Sequence, residues 1–328
     1  MYLVNNLLIL PFILYYFHWT PRTLSFLICY NFPVISIARW TFLILVLMLF
    51  NSYSCKKPIS ETGSLQVLTT IPPLYCLTIN ITGDAAHVEN LLPSGVGPHE
   101  YSLSPGDAKR VAAAQVVIKN GVNLETWLDK ALGISGFNAS DSGKIIVNTS
   151  TGIHIIDGDP HIWLSPKNAM IQVENIRNAL VGIDPENREI YERNAASYMK
   201  ELEGLDREIR DEVQQWTSRE LVSFHAAFKY LARDYGLVQA AVIQETPEIE
   251  PSPKHIAEVI DTIKSRKVKA IFTEPLISHK IVDSLANDLN LKVYSLDTLE
   301  TGAPDRKWYI DAMRANLGIL REALNRKE

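Results

Sequence analysis

Three histidines each stand in a short, turn-rich setting beside an apolar, strand-like run: His99 in GVGPHEY, His161 in GDPHIW and His225 in VSFHAAF. With Asp297 in VYSLDTLE they compose an N/N/N/O donor set for a metal ion. Imidazole nitrogen with one carboxylate oxygen suits tetrahedral zinc, at about 2.0 to 2.2 Å per ligand. Manganese is harder and favours more oxygen, whereas copper and nickel also bind such a set well by the Irving–Williams order. Zinc is therefore the first expectation and manganese the second. Glu274, at the end of VKAIFTEP, competes with Asp297 for the carboxylate position. Its other reading is a strand-end acid that hydrogen-bonds a neighbouring loop.

A histidine met alone is more often structural or solvated than a ligand. What lifts these candidates is a shared placement, because ligands of open α/β sheets bind beyond the carboxyl ends of the strands. His225 follows LVSF, Asp297 follows KVYSL, His99 lies on the Gly-Pro turn after VENLL, and His161 lies on a Pro turn before the helix opened by Ser165. His87, His255 and His18 lack that placement, and His154 and His279 are at most accessory ligands.

The elements that must position these residues read as two similar halves. Strand-like runs at 65–70, 87–92, 115–119 and 144–148 alternate with helix-like segments, and so do runs at 221–224, 238–243, 268–273 and 291–296. Such alternation indicates parallel α/β sheets. Ser104-Pro105, Ser165-Pro166 and Ser252-Pro253 read as helix starts, with a side-chain oxygen for a free N–H and a proline whose missing N–H costs nothing there. Between the halves, Asp184 and Pro185 open a run to about Trp216 with apolar residues at 191, 195, 198, 202, 205, 209, 213 and 216. That is a helical stripe, long enough to serve as a rigid spine. The expected fold is two Rossmann-like α/β domains joined by a long α-helix, with the metal site in the interdomain cleft. The expected divisions are a leader at 1–54, an N-terminal domain at 55–183, a linker helix at 184–217 and a C-terminal domain at 218–328.

Residues 1–54 hold no acidic residue and two basic ones, Arg22 and Arg39, which is not a globular composition. Arg39, then TFLILVLMLF, then NSYSC has the charged flank, apolar core and small-residue segment of an export signal. Cleavage before Cys55 would make it a lipid-anchored first residue, although Ser52 and Tyr53 depart from the usual lipoprotein pattern. The apolar stretch from Leu3 to Tyr30 reads either as an upstream extension or as an extra membrane segment interrupted by Pro11 and Pro21. The expected location is extracytoplasmic, in the periplasm or on the cell surface. The whole chain has 32 basic and 37 acidic residues, an acidic balance that argues against nucleic acid. Of its three cysteines, Cys29 and Cys55 belong to the leader region, so Cys76 stands unpaired and no disulfide framework is expected.

LPSGVGPHEYSLSPGDAKRVAAAQVVIKNGVNLETWLDK, DPHIWLSPKNAMIQVENI, and SFHAAFKYLARDYGL followed by EIEPSPKHIAEVIDTIK together resemble the solute-binding proteins (cluster A-I) of zinc and manganese ABC importers. The resemblance covers about residues 65–325. It implies two α/β domains joined by a long helix, one metal held in the cleft, and delivery of that metal to a membrane permease. It carries the ligand roles onto His99, His161 and His225, with Asp297 fourth. Histidine at 225, where manganese-type members tend to have glutamate, tilts the choice toward zinc, with manganese or iron as alternatives. The long His- and acid-rich loop of many zinc-specific members is missing, since 133–158 is short and holds only His154.

Two other classes share these features. A zinc metallohydrolase needs an open coordination position and a general base, for which Glu274 or Glu100 could be cast, but no HExxH or GxSxG motif accompanies the ligands. A surface adhesin that also binds metal would share the fold. Capture rather than catalysis is expected, with affinity falling below about pH 6 as the histidines protonate, and with small domain movement because a helical spine resists bending.

Overall fold

The structure is a computed structural model and describes residues 64–99, 101–134, 144–245, 250–275 and 280–325. The proposed leader, Cys55, Glu100 and His279 lie outside the described residues. Among the described residues no helix is long and apolar enough to cross a membrane.

The first half winds β1 (Leu65–Thr69), α1 (Pro72–Thr82), β2 (Ala86–Asn90), α2 (Pro105–Ala113), β3 (Val116–Lys119), α3 (Thr126–Ile134) and β4 (Ile145–Asn148) into a parallel sheet of order β2-β1-β3-β4. After α4 (Pro166–Ile183) and α5 (Arg188–Val213), the second half repeats the pattern. There β5 (Glu220–His225), α6 (Lys229–Tyr235), β6 (Val238–Gln244), α7 (Pro253–Arg266), β7 (Ala270–Thr273), α8 (Lys280–Leu289) and β8 (Lys292–Ser295) give a parallel sheet of order β6-β5-β7-β8. In each sheet the first strand is central and the order reverses beside it, so the strand ends around β1 and β5 are the places where a ligand can enter. The chain closes with α9 (Trp308–Leu324). These are the two parallel α/β domains and the connecting helix that the hydrophobic pattern implies.

The helix starts form for the expected reasons. Ser104 accepts from Asp107 N while the Asp107 carboxylate accepts from Ser104 N, a reciprocal capping box with Pro105 in the first turn. Ser165 and Ser252 accept from Asn168 N and His255 N in the same manner.

The spine is shorter than the sequence pattern. Pro185–Asn187 forms a 3-10 turn, and the α-helix runs over the 26 residues Arg188–Val213, about 39 Å at 1.5 Å per residue. Its buried stripe is Tyr191, Ala195, Tyr198, Leu202, Leu205, Ile209 and Val213. It packs against α1, α4 and α9, so one hydrophobic core runs from Val67 in β1 through this stripe to Leu324. A second, smaller core around Phe224, Ile243, Val259, Ile271 and Val282 lies within the second half.

Polar clasps reinforce the junction of the halves. Tyr230 in α6 donates its hydroxyl to Asp159 O at 2.6 Å and accepts from Ile156 N at 3.2 Å. Tyr309 in α9 donates to Trp163 O at 2.6 Å, and Trp163 Nε1 donates to Thr298 O at 2.9 Å. Because each carbonyl or indole is buried, losing its partner would cost more than the bond itself contributes.

Candidate metal centre

His99 follows the stretch of loop after β2. Leu91 N and Leu92 N carry the pairing beyond the strand by donating to Thr69 O and Thr70 O, and Pro93–Pro98 then leads to the histidine. Trp127 in α3 donates its indole N–H to Pro98 O at 3.0 Å, and Tyr101 stacks edge-on against Trp127 while donating to Asp107 Oδ2 at 2.7 Å. The loop is thus tied on both sides of His99.

His161 is held more tightly. Asp159 Oδ1 accepts from His161 N at 2.9 Å and lies 2.6 Å from His161 Nδ1. Asn120, just after β3, donates its side-chain amide to Pro160 O at 2.8 Å. Asn120 is fixed in turn by the buried Glu125, whose carboxylate accepts from Asn120 N, Gly121 N and Thr70 Oγ1. Gly121 has φ +86°, and a Cβ there would come within 2.1 Å of Asn148 Oδ1, so only glycine fits this turn.

His225 is the last residue of β5, where Ser223 Oγ donates to its carbonyl at 2.7 Å. The fourth member is Glu300, in the loop after β8. Its Oε1 lies 2.9 Å from both His99 Nε2 and His161 Nε2, which are 3.2 Å from each other. The three imidazole rings pack with centroid separations of 5.2, 5.2 and 4.7 Å. One ligand atom from each of His99, His161, His225 and Glu300 lies within 4.8 Å of every other. A tetrahedral zinc with ligands at about 2.0 to 2.2 Å would set them roughly 3.3 to 3.6 Å apart, so His99, His161 and Glu300 stand slightly too close for an ion between them and the set of four comes within reach of one ion once the side chains adjust. Among the described residues, both ring nitrogens of the buried His225 lack a hydrogen-bond partner, which is the condition expected of a ligand rather than of a structural histidine.

Asp297 is not in this group. Its Oδ1 accepts from Leu299 N at 2.7 Å, and its own backbone is clasped by Asn316, which accepts from Asp297 N at 2.9 Å and donates to Asp297 O at 2.7 Å. Asp297 therefore builds the turn, Leu299 reverses the chain at φ +58°, and Glu300 is the carboxylate that returns to the histidines. Both acids of the LDTLE motif lie at the end of the same strand; only the loop conformation separates their roles. Glu274 also stands outside the four, with Oε1 at 3.3 Å from His225 Nδ1. Of the remaining histidines, His87 pairs with Glu89, and His255 Nε2 lies 2.9 Å from Val242 O.

The electrostatics suit a cation. Burial opposes charge on His161, but the Asp159 and Glu300 carboxylates outweigh it and push its pKa up to about 9. Burial likewise opposes charge on Glu300, and the hydrogen bonds and charge of His161 and His99 hold it well below the usual carboxylate range. Asp297 is shifted upward by burial and by the neighbouring Glu274 and Glu300, against the Leu299 N–H that favours its anion. The centre thus concentrates carboxylate around buried imidazole. The His99 side chain is 14% exposed against 3% for His161 and 0% for His225, which makes the His99 side the approach from solvent.

Known proteins resemble this chain in sequence and in fold. The family model described as zinc-uptake complex component A, periplasmic, matches residues 67–323. The high-affinity zinc uptake system protein ZnuA of Bacillus subtilis is 33% identical over 297 residues, covering 84% of this chain and 92% of that protein. The manganese ABC transporter substrate-binding lipoprotein PsaA of Streptococcus pneumoniae is 29% identical over 302 residues, covering 86% and 96%. Among solved structures, a mutant of the laminin-binding adhesin Lmb of Streptococcus agalactiae superimposes with a TM-score of 0.73 at 30% identity, covering 79% of this chain and 99% of that one. With its family model spanning nearly all of the two-domain body, and relatives at this identity along most of their length, the chain belongs to the zinc-uptake component A family of metal-binding proteins.

Proposed function

We propose that this protein captures a divalent cation, zinc foremost, outside the cytoplasm and delivers it to the permease of an ABC importer. The observation that carries the reading is the convergence of His99, His161, His225 and Glu300 on one point from four loops or strand ends. Three imidazoles with one carboxylate favour zinc over manganese by ligand softness. The name of the B. subtilis relative supports zinc, and that of the pneumococcal relative keeps manganese as the second ion. Iron is the third.

The reading is of binding rather than catalysis. Four protein ligands complete a tetrahedral zinc, whereas a hydrolytic zinc keeps one position open for water. Anchoring at Cys55 would hold the loaded protein near its permease, and the similarity to the pneumococcal PsaA lipoprotein supports that placement. Likeness to Lmb favours adhesion as a second reading; it expects host-protein binding unaffected by loss of His161 and His225.

The test is metal content and competitive affinity of the purified protein for zinc and manganese, beside His161→Ala/His225→Ala. One tightly held zinc, lost in the double variant, supports capture. Restored growth, under zinc chelation, of a strain that keeps the permease but lacks its own binding protein, by the wild type and not by the variant, supports delivery. Manganese held more tightly than zinc would change the ion, and no metal in either form would discard the reading.

A further inference from the structure

The four ligands are not equally prepared. His161 has Asp159 at one nitrogen and Glu300 at the other, and His99 also meets Glu300. Among the described residues, His225 has both nitrogens buried without a hydrogen-bond partner, and the nearby Glu274 Oε1 is buried without one as well. These three orphaned atoms lie together, since His225 Nδ1 and Glu274 Oε1 are 3.3 Å apart.

Topology forces that proximity. Strands β5 and β7 are parallel neighbours with Val222 opposite Ile271 and Ser223 opposite Phe272. Continuing that register beyond Thr273 sets Glu274 beside His225 at the carboxyl end of the sheet. Thr298, in the loop that also carries Glu300, donates its hydroxyl to Glu274 Oε2 at 3.3 Å. That contact fixes one carboxylate oxygen and leaves the other facing the imidazole.

Resting on the proposed metal site, we propose that Glu274 is a positioning residue: it accepts a hydrogen bond from His225 Nδ1–H, setting the tautomer that presents the Nε2 lone pair to the ion. Asp159 does the same for His161. A ligating imidazole needs its second nitrogen protonated and directed, and a carboxylate in that place also raises the basicity of the ligating nitrogen. Once Nε2 binds an ion and Nδ1–H turns onto Glu274, all three orphaned atoms have partners. The ion thereby draws His225 into alignment, so His99, His161 and Glu300 form the receiving half of the site and His225 with Glu274 closes it.

Outer carboxylates of this kind change metal affinity by about 10- to 100-fold when removed. Zinc affinity and dissociation rate are to be measured by chelator competition for wild type, Glu274→Ala, Glu274→Gln, His225→Ala, His161→Ala and the two double variants Glu274→Gln/His225→Ala and Glu274→Gln/His161→Ala. The expected result is a loss of about 10- to 100-fold for Glu274→Ala, mainly as faster release, and partial recovery in Glu274→Gln, whose amide oxygen can still accept. Glu274→Gln should add little to His225→Ala, because it acts through that ring, yet multiply with His161→Ala. Should Glu274→Ala fail to fold, Glu274→Gln and its two cycles decide the matter. Affinity within about twofold of wild type in Glu274→Gln and Glu274→Ala, or full additivity with His225→Ala, overturns the assignment. If His225→Ala itself leaves zinc affinity unchanged, the metal site has failed, and the role of Glu274 fails with it.

Discussion

Asp159 Oδ1 lies 2.6 Å from His161 Nδ1 and also accepts from His161 N, so one carboxylate oxygen fixes both the backbone and the ring of a single residue. The pairing sets the protonation of the metal-free site. With Asp159 and Glu300 on its two nitrogens, His161 keeps its proton up to about pH 9. An ion requires the deprotonated nitrogen, so at neutral pH binding must expel that proton. Zinc binding at pH 7.5 is expected to release about one proton from this residue, read as the dependence of calorimetric heat on buffer ionisation enthalpy. Affinity should rise with pH toward 9, well above the pH 6 threshold expected for ordinary histidines. Buffer-independent heat would contradict the pairing.

The two acids that end the last strand have separable roles. Glu300→Gln should remove one of four ligands. If structural zinc sites are worth about 10 to 16 kcal/mol, a quarter of that is roughly 3 kcal/mol, or about a hundredfold in affinity. Asp297→Ala removes the bond to Leu299 N and should cost about 1 kcal/mol of folding stability, with a smaller loss of zinc affinity through the displaced loop. Chelator competition and urea denaturation on both variants distinguish the two, and a larger affinity loss for Asp297→Ala would reverse the assignment.

Much of this was legible in the sequence, and the exception is instructive. His225 follows LVSF, and the Ser-Pro starts place α2 and α4, because local chemistry and sheet periodicity fix both within a few residues. Strand ends are also where α/β sheets gather ligands, which brought the three histidines into view. The expected carboxylate was Asp297, with Glu274 as its rival, and finding Glu300 beside the histidines required the path of a loop. That path depends on Asn316 in a distant helix and on a left-handed Leu299, a conformation its residue type does not announce. The spine is shorter than its sequence pattern at both ends, since Pro185 suits a 3-10 turn as well as a helix, the buried apolar stripe begins only at Tyr191, and the helix stops at Val213.

Tyr230 joins the second half to the His161 loop through Asp159 O and Ile156 N. Tyr230→Phe keeps the ring and deletes both bonds, leaving the buried Asp159 carbonyl and the half-buried Ile156 N–H without this partner. We expect a destabilisation of about 1 to 3 kcal/mol in urea denaturation, with zinc released faster because the His161 loop loses its tether. Unchanged stability would show that this clasp does not join the halves.

Cys76 is buried in α1, where burial chiefly pushes its thiol up to about 11. Native protein should resist alkylation at Cys76 at pH 8, read by mass spectrometry, and react fully in denaturant. The sign for stability follows: the folded chain holds the proton more tightly than the unfolded one, so this contribution is intact below about pH 8.5 and declines as pH rises toward 11. Rapid labelling of native Cys76 would contradict its burial.

Whether one ion sits among these four side chains is decided by zinc K-edge absorption and anomalous diffraction of the zinc-loaded protein. We expect one zinc bound by nitrogen of His99, His161 and His225 and by oxygen of Glu300, at about 2.0 to 2.2 Å. Zinc bound without Glu300 or without any one of the three histidines, or zinc found only at surface sites, would contradict it.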